Sequence, residues 1–215
     1  ATEEITAAET GRVLHISFYA TFASKWLAPR LHLFSKRHPD IAYQVTVLTH
    51  HRALSSPDSD VDVAIHYGEA SWPNALLDLL MYERIVPVCS PDYAALHRIE
   101  EPADLARATC LHQSRADAWP DMLSSLGLQT ISPLRGPKFD QYAMVIEAAL
   151  TGLGVAAIPT FLIEKHLAAG ELLQPFDVSV RSRHAYYLVY PEAKRNWKSI
   201  KAFRRWIVAQ AREKG

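Results

Sequence analysis

Several short polar turns in this sequence follow directly on apolar, β-favouring runs, the junctions at which backbone and side-chain donors can meet a ligand. Tyr19-Ala20-Thr21 follows the run Val13–Phe18, and a helix starting there presents N–H groups that it cannot pair internally, beside the Thr21 hydroxyl. Such a site suits an anion, and a carboxylate fits it well. Capping of the helix by Thr21 is the competing use of that hydroxyl. A second helix start of this kind lies at Asp140-Gln141-Tyr142, with Asp140 expected as the N-cap. His66 and Tyr67 end a third apolar run, and His112-Gln113-Ser114 end another, so their polar groups are candidates for ligand contact.

The same survey turns up little that could break bonds. Ten histidines, including His50-His51, show no His-x-x-x-His spacing and the two cysteines no Cys-x-x-Cys spacing, so no metal site is expected. There is no Gly-x-Ser-x-Gly elbow and no Gly-Lys-Ser/Thr phosphate loop. Cys89 lies in an apolar run and is expected to be buried and inert. Around Lys194 to Arg205, helical spacing turns Trp197, Phe203 and Trp206 toward a core and leaves the charges on a solvated face. No set of nucleophile, base and cofactor lysine assembles, so neither catalysis nor a cofactor is expected.

These turns need a scaffold, and the composition supplies one. Of 215 residues, 49% are hydrophobic and 21% charged, a globular α/β balance. Lys plus Arg and Asp plus Glu both number 23, so the chain lacks the net basic field that holds nucleic acid by counterion release. Two cysteines, no apolar span of roughly 20 residues and no signal-like start point to a reducing, cytoplasmic setting without a membrane partner. Strands are expected at 13–18, 41–48, 61–65, 76–82, 84–89, 109–112, 154–159 and 185–190. Helices are expected at 22–38, after Ser90-Pro91, at 140–151, 161–169 and 200–211, and 119–126 reads as a short helix or an extended arm. So many elements require two lobes. The expected division is 12–86 with 160–215 against 87–159, crossing at 85–89 and 155–158, with residues 1–11 as a linker end.

Read in order, the motifs become familiar. Thr21-Phe22-Ala23, Trp26-Leu27-Ala28-Pro29-Arg30-Leu31, His38-Pro39-Asp40-Ile41, Asp62–Gly68, Pro87–Pro91, Gly152-Leu153-Gly154-Val155-Ala156 and Gly170–Phe176 resemble the effector-binding domain of LysR-type transcriptional regulators. The resemblance runs from about Arg12 to Ala211. It is nearest the branch of glycine-cleavage and AmpC β-lactamase regulators, in which a pair such as Trp72-Pro73 follows the third strand. It implies an α/β, type 2 periplasmic-binding-protein fold of two Rossmann-like subdomains joined by two crossing strands, with a small-molecule effector in the cleft. It also implies assembly as a homodimer or tetramer, and promoter DNA bound only through a winged helix-turn-helix domain absent from this sequence. By the same resemblance Thr21 and Tyr186 match ligand contacts, while Tyr187 is expected to pack in the core because neighbours on a strand face opposite sides. Where that branch has small hydroxyl residues, this chain has Gln141 and Tyr142, and the bulkier lining argues for a different ligand. The expected effector contacts are therefore Tyr19, Ala20, Thr21, His66, Tyr67, Gln113, Gln141, Tyr142 and Tyr186, around an amino acid or organic acid. A transport solute-binding protein of the same fold is the alternative.

Overall fold

Residues 12–47, 60–114, 118–129 and 135–212 are described in a computed structural model of the protein. The expectations for residues 1–11 and for His50-His51 lie outside them. The chain divides into two compact units, the first up to Tyr82 and again from Arg183 on, the second Glu83–Ser182.

In the first unit, β1 (Leu14–Phe18) is the buried centre of a sheet. It pairs in parallel with β2 (Tyr43–Val47) on one side and β3 (Val63–Gly68) on the other, with Ile16 opposite both Val45 and Val63. β3 pairs antiparallel with β8 (Val180–Pro191), from Ala64 opposite Val189 to Gly68 opposite Ala185. The β1-helix-β2 crossover is the reason for the parallel pairing. Its helix, α1, opens at Ala20–Phe22, widens to π geometry over Ala23–Leu27 and continues as Ala28–Arg37. The C-terminal helix α6 (Lys198–Arg212) buries Ile200, Phe203, Trp206 and Ile207, the helical stripe its sequence shows. Phe34 of α1 meets Phe203 at 5.3 Å and Trp206 at 5.2 Å between ring centroids, and Phe203 lies edge-on to Phe18 of β1 at 6.4 Å. Burial of each such ring stabilises the unit by roughly 1.5–3 kcal/mol.

A buried carboxylate ties the start of this sheet to the chain's last quarter. Asp62 accepts from the backbone N–H of His15 at 3.0 Å, Lys194 Nζ at 2.8 Å and Arg12 Nη2 at 3.3 Å. Both cations also face the ring of Trp197, at 4.4 Å for Arg12 and 5.1 Å for Lys194. Trp197, expected to face a core with Phe203 and Trp206, precedes the helix, is only half-buried and is instead a cation–π platform for these two charges.

The second unit orders its strands as the outer part of β4 (Ala75–Val88), then β7 (Val155–Pro159), β5 (Cys110–Gln113) and β6 (Lys138–Phe139). β7 is antiparallel to β4 and parallel to β5. Every residue of β7 is buried, because both faces are covered. Val155 and Ala157 join Ile85, Trp119 and Met122 on one side, while Ala156 and Ile158 join Val86, Tyr142 and Ile146 on the other. Ser90 caps α2 (Pro91–His97), its Oγ accepting from the Tyr93 N–H at 3.2 Å. The stretch at 118–125 is the helix α3 (Ala118–Ser125), and Trp119 Nε1 donates to the Leu111 carbonyl at 2.9 Å. α4 (Tyr142–Leu150) precedes β7, and α5 (Glu164–Ala168) follows a single 3₁₀ turn at Thr160–Leu162.

Three expectations change here. The runs 76–82 and 84–89 form one strand, β4, in which the unit boundary falls between Tyr82 and Glu83. The return crossing lies in β8, not at 155–158, and β8 begins at Val180 rather than 185. Residues 160–182 therefore belong to the second unit, since Leu162, Ile163 and Leu172 complete one of its cores and Leu173, Phe176, Val178 and Val180 pack on the other.

Candidate functional site

The turn after β1 opens a helix directly. Tyr19 is extended (φ −63°, ψ 136°), occupies the N-cap position and supplies no side-chain cap. Thr21 is the second residue of the helix and is buried, two positions past the Tyr19 N-cap. The first-turn N–H groups belong to Ala20, Thr21 and Phe22, and the positive end of the helix dipole lies over them. Immediately beyond comes the π turn, where Ser24 Oγ donates to the Thr21 carbonyl at 3.2 Å. Single π turns within α-helices are frequent at functional sites.

Aromatic rings from β3 and β8 collect beside this start. Tyr186 packs on Phe22 at 4.8 Å and on Tyr67 at 4.9 Å, and His184 lies edge-on to Tyr67 at 5.8 Å. Strand alternation puts the next residue of each strand on the opposite face: His66 stacks toward Tyr187 at 6.4 Å and meets Trp72 edge-on at 4.9 Å. The structure thus joins Tyr19, Ala20, Thr21, Tyr67 and Tyr186, and separates His66 from them. Its ring nitrogen Nε2 lies 3.2 Å from the Glu69 carbonyl in the following turn. Tyr186 is buried, while Tyr187, expected to pack in the core, is only half-buried. Burial, and then the neighbouring Tyr82, push the Tyr187 phenol up, which keeps it protonated.

In the second unit, the N-cap of α4 is Gln141, one residue later than the Asp140 expected, and it too supplies no side-chain cap. Asp140 serves through its backbone, its carbonyl accepting from Gln113 Nε2 at 2.9 Å, while Ser114 Oγ donates to the Phe139 carbonyl at 3.0 Å. These bonds hold the carboxyl end of β5 against the start of α4, with Gln113 bonded to the residue before Gln141. Tyr142 is different: it is buried in the core with Val86, Leu111 and Ile146. His112 lies edge-on to Trp119 at 6.5 Å.

Among the described residues no group of three or more His, Cys, Asp or Glu is placed to hold a metal ion. Cys89 and Cys110 are buried free thiols, pushed up by burial to about 11 and about 12. No described helix is long and apolar enough to cross a membrane.

Comparison with known proteins decides the family. The model of the LysR substrate binding domain matches residues 7–212. The chain belongs to that family. It is 35% identical over 212 residues to the glycine cleavage system transcriptional activator of Escherichia coli (strain K12), covering 98% of this chain and 69% of that protein. It is 33% identical over 201 residues to the HTH-type transcriptional activator AmpR of Rhodobacter capsulatus, covering 94% and 68%. The effector domain of the transcriptional regulator AmpR of Pseudomonas aeruginosa superimposes with a TM-score of 0.84 at 30% identity, over 94% of this chain and 97% of that one. The chain is thus the effector-binding domain of a LysR-type transcriptional regulator with a periplasmic-binding-protein-like fold, and these relatives are regulators.

In this LysR domain the sequence reading missed Phe22 and His184, which frame Tyr186 and Tyr67, and it missed the π turn. Phe22 was visible only as a core position of its helix. For the π turn no residue pattern stood out, although Arg30 marks it in the structure, donating to the Trp26 carbonyl at 2.6 Å and lying 4.7 Å from the Trp26 ring centre.

Proposed function

We propose that this domain senses a small carboxylate-bearing metabolite, an amino acid or organic acid, and passes its binding on as a shift in the arrangement of a homodimer or tetramer. Promoter DNA is engaged by a helix-turn-helix part of the parent regulator. The observation that carries the reading is the start of α1, where the N-cap residue Tyr19 supplies no side-chain cap, Thr21 lies in the first turn and Tyr186 packs on Phe22. A carboxylate there accepts from the first-turn N–H groups and from the Thr21 hydroxyl. Tyr19, Ala20, Thr21, Tyr67 and Tyr186 are the contacts assigned to the first unit, and Gln113 and Gln141 those of the second. His66 and Tyr142 are left out, because one faces the other side of the sheet and the other fills a core. Two free thiols accord with a cytoplasmic setting.

A thermal-shift screen against amino acids, organic acids, muropeptide-like dipeptides and purines tests this. A ligand at about 100 times its Kd stabilises the native state by about 2.7 kcal/mol. The expected hit carries a carboxylate and loses about tenfold or more in affinity in Thr21→Val, the cost of one charge-assisted hydrogen bond. A hit indifferent to Thr21→Val removes the ligand from this helix start.

A further inference from the structure

The charges of α6 that the core does not use line a groove of about 530 Å³ within the first unit, bordered by the end of α1 and the first three turns of α6. Its lining includes Arg37, Asn196, Lys198, Lys201, Arg205 and Trp206. Lys198 is held by Asp40, Nζ to Oδ2 2.6 Å. Arg37, Lys201 and Arg205 have no acidic partner among the described residues. Two features are out of keeping with a merely solvated face. The first turn of α6 carries no acidic residue while Lys198 and Lys201 stand at its start, so like charge is loaded on the positive end of a 15-residue helix. Trp206, only 4% exposed, also contributes to the lining, and its indole N–H is buried with no acceptor among the described residues. An unmet buried donor is costly.

We propose that this groove is a second ligand site, distinct from the effector turn, for a small phosphorylated metabolite carrying two or more phosphate groups. Three unopposed cations match the charge of such a ligand. Arg37 and Arg205 bring guanidinium forks suited to phosphate oxygens, and Lys201 a point charge. The volume lies in the range of small-molecule sites, too large for one phosphate ion and sufficient for a phosphorylated body of mononucleotide size.

The test is a calorimetric titration of the protein with sodium tripolyphosphate, with citrate and a short duplex DNA as competitors. Tripolyphosphate is expected to bind. Lys201→Glu and Arg205→Glu each weaken it by about tenfold or more, whereas Thr21→Val and the exposed control Arg195→Glu leave it unchanged. The indole N–H resonance of Trp206, assigned by its disappearance in Trp206→Phe, shifts during the titration. No binding at millimolar concentration, binding untouched by both reversals, or citrate or DNA binding more tightly would each overturn the assignment. Loss in Thr21→Val alone would move the phosphate to the effector turn, so this proposal and the effector reading fail separately.

Discussion

Replacing Asp62 by asparagine keeps the volume and removes the charge, and the structure gives the consequences atom by atom. The carboxylate side chain is 2% exposed and that of Lys194 20%, so the Lys194 bond at 2.8 Å is a desolvated, charge-assisted one worth about 1.5–3 kcal/mol. Arg12 is 45% exposed and lies farther away at 3.3 Å, so screening limits it to about 1 kcal/mol or less. An amide retains one acceptor oxygen. If that oxygen stays with the His15 N–H, the NH₂ group faces two cations; if it turns, the N–H at the start of β1 loses its acceptor. Either way Asp62→Asn should lose about 3–4 kcal/mol, since removing one partner of a buried pair strands the other. For a chain of this length that lowers Tm by about 10 °C. Urea unfolding followed by circular dichroism reads the loss. Lys194→Met completes a double-mutant cycle, whose coupling should be about 1–3 kcal/mol. A loss below about 1 kcal/mol, or additive single mutants, would show that the Asp62 node does not fasten β1 to the C-terminal quarter, and the reasoning would fall.

Gly136→Ala should cost about 2–3 kcal/mol in the same unfolding assay, because a methyl there would lie 1.9 Å from the Cys110 carbonyl oxygen, and β5 must move to admit it; an unchanged midpoint would contradict that close approach. The buried thiols should resist a disulfide reagent at mildly alkaline pH in the native protein and both react once it is unfolded in urea. Their folded values are raised from 9.0 to about 11 and about 12, so above the unfolded value the unfolded chain releases protons that the folded one retains. Stability should therefore fall as pH rises from 9 toward 12, with Tyr190, raised by burial from 10.0 to about 12, adding to the decline. A flat stability profile across that window would count against the burial of these groups.

What the sequence revealed and what it concealed divide along one physical line. Elements with a single buried face announce themselves by period: Ile200, Phe203, Trp206 and Ile207 in α6 recur at helical spacing, and all four are buried. The crossing strands carry no such signal. Asp78, Glu83 and Arg84 interrupt β4, and Arg181 and Arg183 open β8. Glu83, which divides the expected strands 76–82 and 84–89, is buried inside β4, and Asp78 pairs with Arg204, Nη2 to Oδ1 2.8 Å, 126 residues away, so these charges are accommodated by tertiary structure. No local window contains that information. The return point of the chain was misplaced for the same reason: Val155–Pro159 has the apolar run of a strand that ends a lobe, while the polar strand that leaves the unit reads as loop.

The candidate site shows a finer version of the same limit. A period of two says that His66 and Tyr67 cannot both face the start of α1, and likewise Tyr186 and Tyr187, yet it leaves open which of each pair does. Helix α1 settles the choice. Phe22 at its third residue is buried and takes Tyr186 against its ring, and Tyr186 in turn selects Tyr67, its antiparallel partner across β3 and β8. His66 and Tyr187, opposite each other in the same register, are then committed to the other face with Trp72. One buried phenylalanine thus fixes which tyrosines stand beside the start of α1. A Phe22→Leu change, which keeps the helix but gives up the ring contact, should therefore act on ligand choice through Tyr186 while leaving the first-turn N–H groups in place.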